Sequence, residues 1–266
     1  MPERILAIHN KFEQLQALML LLREECPWDQ AQTIESLRRY LLEESHEVLE
    51  AMEHAHQTDE WQDLKSELGD LLLQIAFHCC IAEEKQQFNF DDVIDTLVAK
   101  MIYRHPHVFH DAKPQDLLEQ WESLKDDEHQ ERTSLMDGIP PLPALAYAQK
   151  QQQRASRVGF DWLHVNDVIE KMQEELNELA YEVRHQQSQS RIEDEFGDVL
   201  FTLTNLARKL DIDAELCLMQ SNRKFDRRFR RMESIASDQS LDLKSFKLDA
   251  LELLYQQAKQ EIMAST

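Results

Sequence analysis

Glycine is nearly missing from this sequence. Four occur in 266 residues, Gly69, Gly138, Gly159 and Gly197, and no two lie close together. A Gly-rich dinucleotide turn and a P-loop both require clustered glycines, so both are excluded. Any phosphate chemistry must proceed without a glycine-built backbone cradle. Proline also stops early, since all seven fall at or before Pro143. A chain poor in glycine and free of late proline can run in long helices. The expected fold class is all-α.

The four cysteines are Cys26, Cys79, Cys80 and Cys217, with two adjacent and no CxxC pair. That pattern favours neither a disulfide framework nor a thiolate zinc site. Long hydrophobic runs are missing too. The longest apolar stretch, around residues 18–22, is far short of a membrane span. The N-terminus mixes charged with apolar residues and lacks a signal-peptide plan, so a cytoplasmic protein without membrane attachment is expected. Positive charge is scarce: 29 Lys+Arg stand against 51 Asp+Glu, for a net charge of −22. Nucleic-acid binders neutralise phosphates with clustered Lys and Arg, so that partner class is disfavoured, and anionic membrane surfaces with it. Yet 42% of the residues are hydrophobic, too many for a disordered acidic tail.

One boundary stands out in what is present. Residues 137–143 (DGIPPLP) hold a glycine and three prolines, which stop any helix, and a polar stretch precedes them. The expected organisation is one helical repeat over 1–125, a linker over 126–143 and a second repeat over 144–266. The two sides resemble each other. LLEESHEVLEAM (41–52) and SELGDLL (66–72) match MQEELNELAYEV (172–183) and EDEFGDVL (193–200). Glu44 pairs with Glu175 at an offset of 131, and Glu67 with Glu195 at 128, so one connecting loop differs by three residues. Asp29 and Asp161 sit upstream at an offset of 132. Internal duplication explains this economically. Apolar residues step by three and four in each segment (Ile169, Met172, Leu176, Leu179, Val183; Leu64, Leu68, Leu72, Ile75), the spacing of helices with a buried stripe. Each repeat therefore reads as a small helical bundle.

The acids at the edge of these stripes carry the chemistry. Glu175 and Glu178 are three residues apart on one helix face, and Glu195 and Asp198 repeat the arrangement on the next helix. If the helices pack antiparallel, four carboxylates converge, and their repulsion calls for a cation. A set of carboxylate oxygens without Cys or His suits a hard ion, Mg²⁺ or Mn²⁺. Gly197 is expected to let the helices approach closely. With 51 acids in the chain, one such pattern alone could be a solvated face. Its pairing with E-x-G-D one helix later, and the recurrence of both, favours a metal site.

A second constellation is basic. Residues 223–231 (RKFDRRFRR) hold six Lys/Arg. On a helix, Phe225, Phe229 and Met232 are expected on the buried face, while Lys224, Arg227, Arg228 and Arg231 share another. Cations following a carboxylate site suit a polyphosphate, and surface ion pairs are the plainer alternative. The first repeat has Lys100 and Arg104 at a comparable place, but Pro106 should end that helix early. The histidines of RHPHVF (104–109) and the tryptophans Trp28 and Trp162 read as structural.

Together these segments resemble the MazG family of nucleoside triphosphate pyrophosphohydrolases in its two-repeat form. The motifs are E-E-x-x-E followed by E-x-G-D: Glu43, Glu44 and Glu47 with Glu67, Gly69 and Asp70, and Glu174, Glu175 and Glu178 with Glu195, Gly197 and Asp198. CPWDQAQT (26–33), RHPHVF, VGFDW (158–162) and NRKFDRRFRR (222–231) resemble further segments of the family.

The resemblance implies tandem all-α NTP pyrophosphatase bundles in a homodimer that hydrolyses nucleoside triphosphates to monophosphate and pyrophosphate with Mg²⁺. It implies metal positions at Glu174, Glu175, Glu178, Glu195 and Asp198, and in the first repeat at Glu44, Glu47, Glu67 and Asp70. Nucleotide positions would be Lys171, Arg191, Lys224, Phe225, Asp226, Arg227, Arg228 and Tyr255, with Glu174, Glu175, Lys224 and Arg228 catalytic. Arg191 and Tyr255 depart from the Lys and Trp of related chains. The C-terminal repeat is expected to be the active one, with broad base tolerance. A relative restricted to dUTP or phosphoribosyl-ATP, and a non-catalytic metal-binding helical module, are the alternatives.

Overall fold

The computed structural model of the chain describes residues 2–109 and 133–264, and every regular element among them is helical. The chain divides into two compact units, Met1–Glu128 and His129–Thr266. The expected linker lies partly outside the described residues. Its described end is a non-helical turn in which the Asp137 carboxylate accepts from the backbone N–H groups of Thr133 and Ser134, both at 2.9 Å. No described helix is long and apolar enough to cross a membrane.

The first unit contains α1 (Pro2–Leu6), α2 (Lys11–Glu25), α3 (Pro27–Ala31), α4 (Ile34–Thr58), α5 (Gln62–Glu84), α6 (Phe90–Arg104) and α7 (Pro106–Phe109). Local chemistry sets the ends. Thr33 and Ser36 form a capping box that starts α4, and Asp59, at φ 62°, closes it in the left-handed region. Three residues then turn the chain into α5, so the two long helices lie antiparallel. Asn89 and Asp92 cap α6, which stops at Arg104, before Pro106. The expected interruption is present, because proline cannot supply the N–H that would continue the ladder. Met19, Leu37, Phe77, Ile81 and Phe90 form the core between α2, α4, α5 and α6. Burying each such side chain contributes roughly 1.5–3 kcal/mol.

The second unit contains α8 (Ala144–Ser156), α9 (Val165–Arg184), α10 (Gln189–Lys209), α11 (Ala214–Asp238), a 3₁₀ turn (Leu243–Ser245) and α12 (Leu248–Ala264). Residues 185–188 join α9 and α10 into the second long hairpin. Helix α11 runs 25 residues without a break, 10 more than α6. Its end packs on α12 through Met232, Ile235 and Ala258, with Leu254 and Tyr255 alongside.

The apolar stripes are not buried as their period suggests. Ile169, Leu176 and Val183 on α9, and Phe196, Leu200 and Leu203 on α10, are exposed. The first hairpin does the same with Leu68, Leu72 and Ile75. On α9 the buried residues are instead Val168, Glu175 and Glu182, which recur every seven residues. Period locates a stripe, but only the neighbours decide which face is covered. Phe225 and Phe229 also depart from expectation: they are 56% and 38% exposed and stack at 5.7 Å, and of the three expected residues only Met232 is buried. The basic part of α11 lies where the helix has little packed against its apolar side.

Candidate metal and phosphate site

The long hairpin of the second unit assembles the acids. Glu175 lies midway along α9, and Glu195 and Asp198 lie one turn apart in the first half of α10. One carboxylate oxygen from each of the three falls within 4.8 Å of the others. The first unit builds the same cluster from Glu44, Glu67 and Asp70. Three acids converge in each, not the expected four. Glu178 and Glu47 stand beside the clusters, close enough to act on Glu195 and Glu67. A cap of acid beside acid is unstable alone. Burial and the charges of Glu178, Asp198 and Glu175 push the Glu195 carboxyl above its ordinary range, and burial with Asp70, Glu47 and Glu67 does the same to Glu44.

Glu175 is 6% exposed, and its Oε2 is buried without a hydrogen-bond partner. An orphaned carboxylate oxygen costs free energy unless something positive meets it. Three converging carboxylates and one bare oxygen fit a hard divalent ion. Gly197 does not act as expected: a Cβ there, or at Gly69, would meet nothing within 4 Å. A side chain would have open space at both positions, so helix approach does not require glycine there.

The expected cations divide into two groups. Lys171, one turn before Glu175 on α9, places its Nζ 2.9 Å from both Glu174 and Glu175. Hydrogen bonds to Glu175 and Glu174 hold its ammonium charged to well above the usual lysine range. Arg191, in the first turn of α10, donates to Glu182 at 2.7 Å. Beside these residues lies an open cavity of about 620 Å³ lined by α9 and α10, including Glu174, Glu178, Glu195 and Arg191. Lys224, Phe225, Asp226, Arg227, Arg228 and Tyr255 stand on α11 and α12, and none of them lines this cavity. Asp226 is tied to Arg230 at 2.7 Å, and Tyr255 lies 6.0 Å from Phe225, ring to ring.

Glu182 is the residue that sequence reasoning missed. It is 4% exposed, and its seven-residue spacing from Glu175 puts both on one face of α9, a signal readable in advance. The two histidines of the RHPHVF segment bring their rings to 5.7 Å, with His105 Nδ1 at 2.6 Å from the Met101 carbonyl, a use within the helix end.

Comparison with known proteins matches one family model in two segments of the chain. The MazG nucleotide pyrophosphohydrolase domain matches residues 32–109 and again 164–232. The chain is 39% identical over 262 residues to a nucleoside triphosphate pyrophosphohydrolase of Escherichia coli (strain K12), spanning 95% of this chain and 98% of that one. It is 43% identical over 254 residues to the nucleoside triphosphate pyrophosphohydrolase/pyrophosphatase MazG of Thermotoga maritima, spanning 93% and 95%. An uncharacterized protein of Bacillus subtilis, YabN, is 39% identical over 260 residues, which make up 52% of its length.

Proposed function

This chain belongs to the MazG nucleotide pyrophosphohydrolase family, and from that premise we propose that it hydrolyses nucleoside and deoxynucleoside triphosphates to the monophosphate and pyrophosphate, with Mg²⁺ and broad base tolerance. The observation that carries this reading is the Glu175, Glu195 and Asp198 cluster beside a cavity with Arg191 at its edge. Glu175, Glu195 and Asp198 would hold the metal, with Glu178 and Glu174 alongside. A bound Mg²⁺ supplies charge withdrawal from the phosphoryl oxygens and orientation of the triphosphate.

The protein's own groups do the rest. Glu174, exposed beside Glu175 and 2.9 Å from Lys171, is assigned to accept the proton of an attacking water, with Glu175 as the alternative base. The water oxygen bonds to the α-phosphorus, and the bridging oxygen leaves with the β-phosphate as pyrophosphate. Arg191 binds the phosphate chain at the cavity edge, and Lys224, Arg227 and Arg228, on α11 outside this cavity, are the further cations this reading assigns to the leaving pyrophosphate. Gln173 and Asn177 line the cavity, and an amide that both donates and accepts suits more than one base. The cytoplasm is the compartment of this reading, consistent with four unpaired cysteines.

Hydrolysis of each common NTP and dNTP in ¹⁸O-water, with products resolved, tests the reading. The label is expected in the monophosphate, with pyrophosphate unlabelled. Label in pyrophosphate, or release of diphosphate and orthophosphate, would overturn it.

A further inference from the structure

Glu182 occupies a position that a carboxylate occupies at a cost. It lies in the last turn of α9, where the carbonyl end of the helix disfavours negative charge. Its side chain is buried, with Oε1 accepting from Arg191 Nη2 at 2.7 Å and Oε2 buried without a donor. A side chain chosen for stability alone would be apolar here, as the first repeat shows. The position matching Glu182 is Ala51, and the position matching Arg191 is Asp63. Both members of the pair are missing where the acidic cluster of Glu44, Glu67 and Asp70 persists. The pair therefore goes with something other than metal binding. The Arg191 side chain is 58% exposed, and among the described residues Glu182 alone is seen to accept from its guanidinium. A guanidinium carries five N–H donors in a rigid fork, so most of them remain available at the cavity.

We propose that Glu182 is a positioning residue: its buried carboxylate fixes the Arg191 guanidinium at the cavity edge so that the free donors receive the phosphate chain of the nucleotide. The inference rests on the pyrophosphohydrolase reading. A free arginine on a helix surface samples many rotamers, and each one frozen by the ligand weakens binding. A charge-assisted bond to a buried, immobile carboxylate removes that cost before the nucleotide arrives. Glu182 lines the same cavity as Glu174, Glu178 and Glu195, and its bond to Arg191 offsets one of the negative charges that would otherwise repel a polyphosphate.

The test is steady-state hydrolysis of ATP by the full chain with Mg²⁺, alongside Mn²⁺ binding and thermal unfolding of each variant. Glu182→Ala is expected to raise KM about tenfold while kcat stays within about threefold, the split of a lost ground-state contact. Arg191→Ala is expected to do at least as much, and the double variant no more than Arg191→Ala alone, because Glu182 acts only through Arg191. Glu182→Gln, which keeps an acceptor for Arg191, is expected to fall between wild type and Glu182→Ala, with Mn²⁺ affinity and unfolding unchanged. Additive effects in the double variant would overturn the proposal, as would a fall in kcat at unchanged KM. Loss of Mn²⁺ affinity in Glu182→Gln would assign the residue to the metal instead. Wild-type chain that releases no pyrophosphate would overturn the functional reading itself, an outcome distinct from all of these.

Discussion

Asp161 is held by two cations, Arg208 Nη2 at 2.5 Å and Lys209 Nζ at 2.7 Å, and all three side chains are at most 20% exposed. Burial alone would raise its carboxyl, but the hydrogen bonds from Arg208 and Lys209 outweigh burial and hold it below the ordinary range. The sign follows. An acid lowered in the folded state adds stability that is present above its ordinary value, about 3.9, and lost as pH falls through the folded value. Asp161→Asn should therefore cost roughly 1–3 kcal/mol near pH 7, since it leaves two partly buried cations short of a partner. Urea unfolding of both proteins at pH 7 and pH 3 checks this: the difference should shrink at the lower pH, and an equal difference at both would exclude the ion pairs as its source. The matching residue, Asp29, is placed differently, with its backbone carbonyl accepting from Arg23. Equal letters at matching positions do not imply equal partners.

Between helices, the two hairpins separate what the repeats share from what they do not. Both bring three acids together, because the antiparallel turn after the first helix sets E-E-x-x-E against E-x-x-D. They differ in the cations nearby. Tyr40 stands where Lys171 does, Asp63 where Arg191 does, and α6 stops at Arg104 where α11 continues past Arg231. A cluster that holds an ion without phosphate-binding cations stabilises a transition state poorly. Glu44→Ala with Asp70→Ala is expected to lower pyrophosphate release by less than about tenfold, and Glu175→Ala with Asp198→Ala by at least about a hundredfold. Both should keep full helical circular dichroism, since removing acids relieves repulsion. A first-hairpin variant that loses the greater share of turnover would reverse the assignment of the active repeat.

At the scale of the whole molecule, the exposed stripes set the expectation. Leu176, Phe196, Leu200 and Leu203 are 39–54% exposed along one hairpin, a row of apolar side chains that a lone hairpin leaves in water. Covering such rows with a second hairpin is the usual solution for helical bundles. A homodimer is the expected assembly, with sedimentation at micromolar concentration giving twice the mass of one chain. A fully active monomer under those conditions would refute it.

Several features are legible in the amino-acid sequence alone. Sparse glycine and the end of proline at Pro143 fixed the helical class, and the offsets of 131 and 128 fixed the duplication, because both are properties of local chain chemistry and of linear spacing. The acidic motifs were legible for the same reason: residues three apart share a helix face wherever the helix lies. Tertiary structure decided the rest. It buried Glu175 and Glu182 and left the apolar stripe of α9 outside, left Phe225 exposed, and tied Arg191 to Glu182 and Lys171 to two glutamates. Helical period specifies which residues face the same way. Which of those faces meets a neighbour, and which charge that neighbour brings, depends on residues distant in sequence that only the folded chain sets side by side.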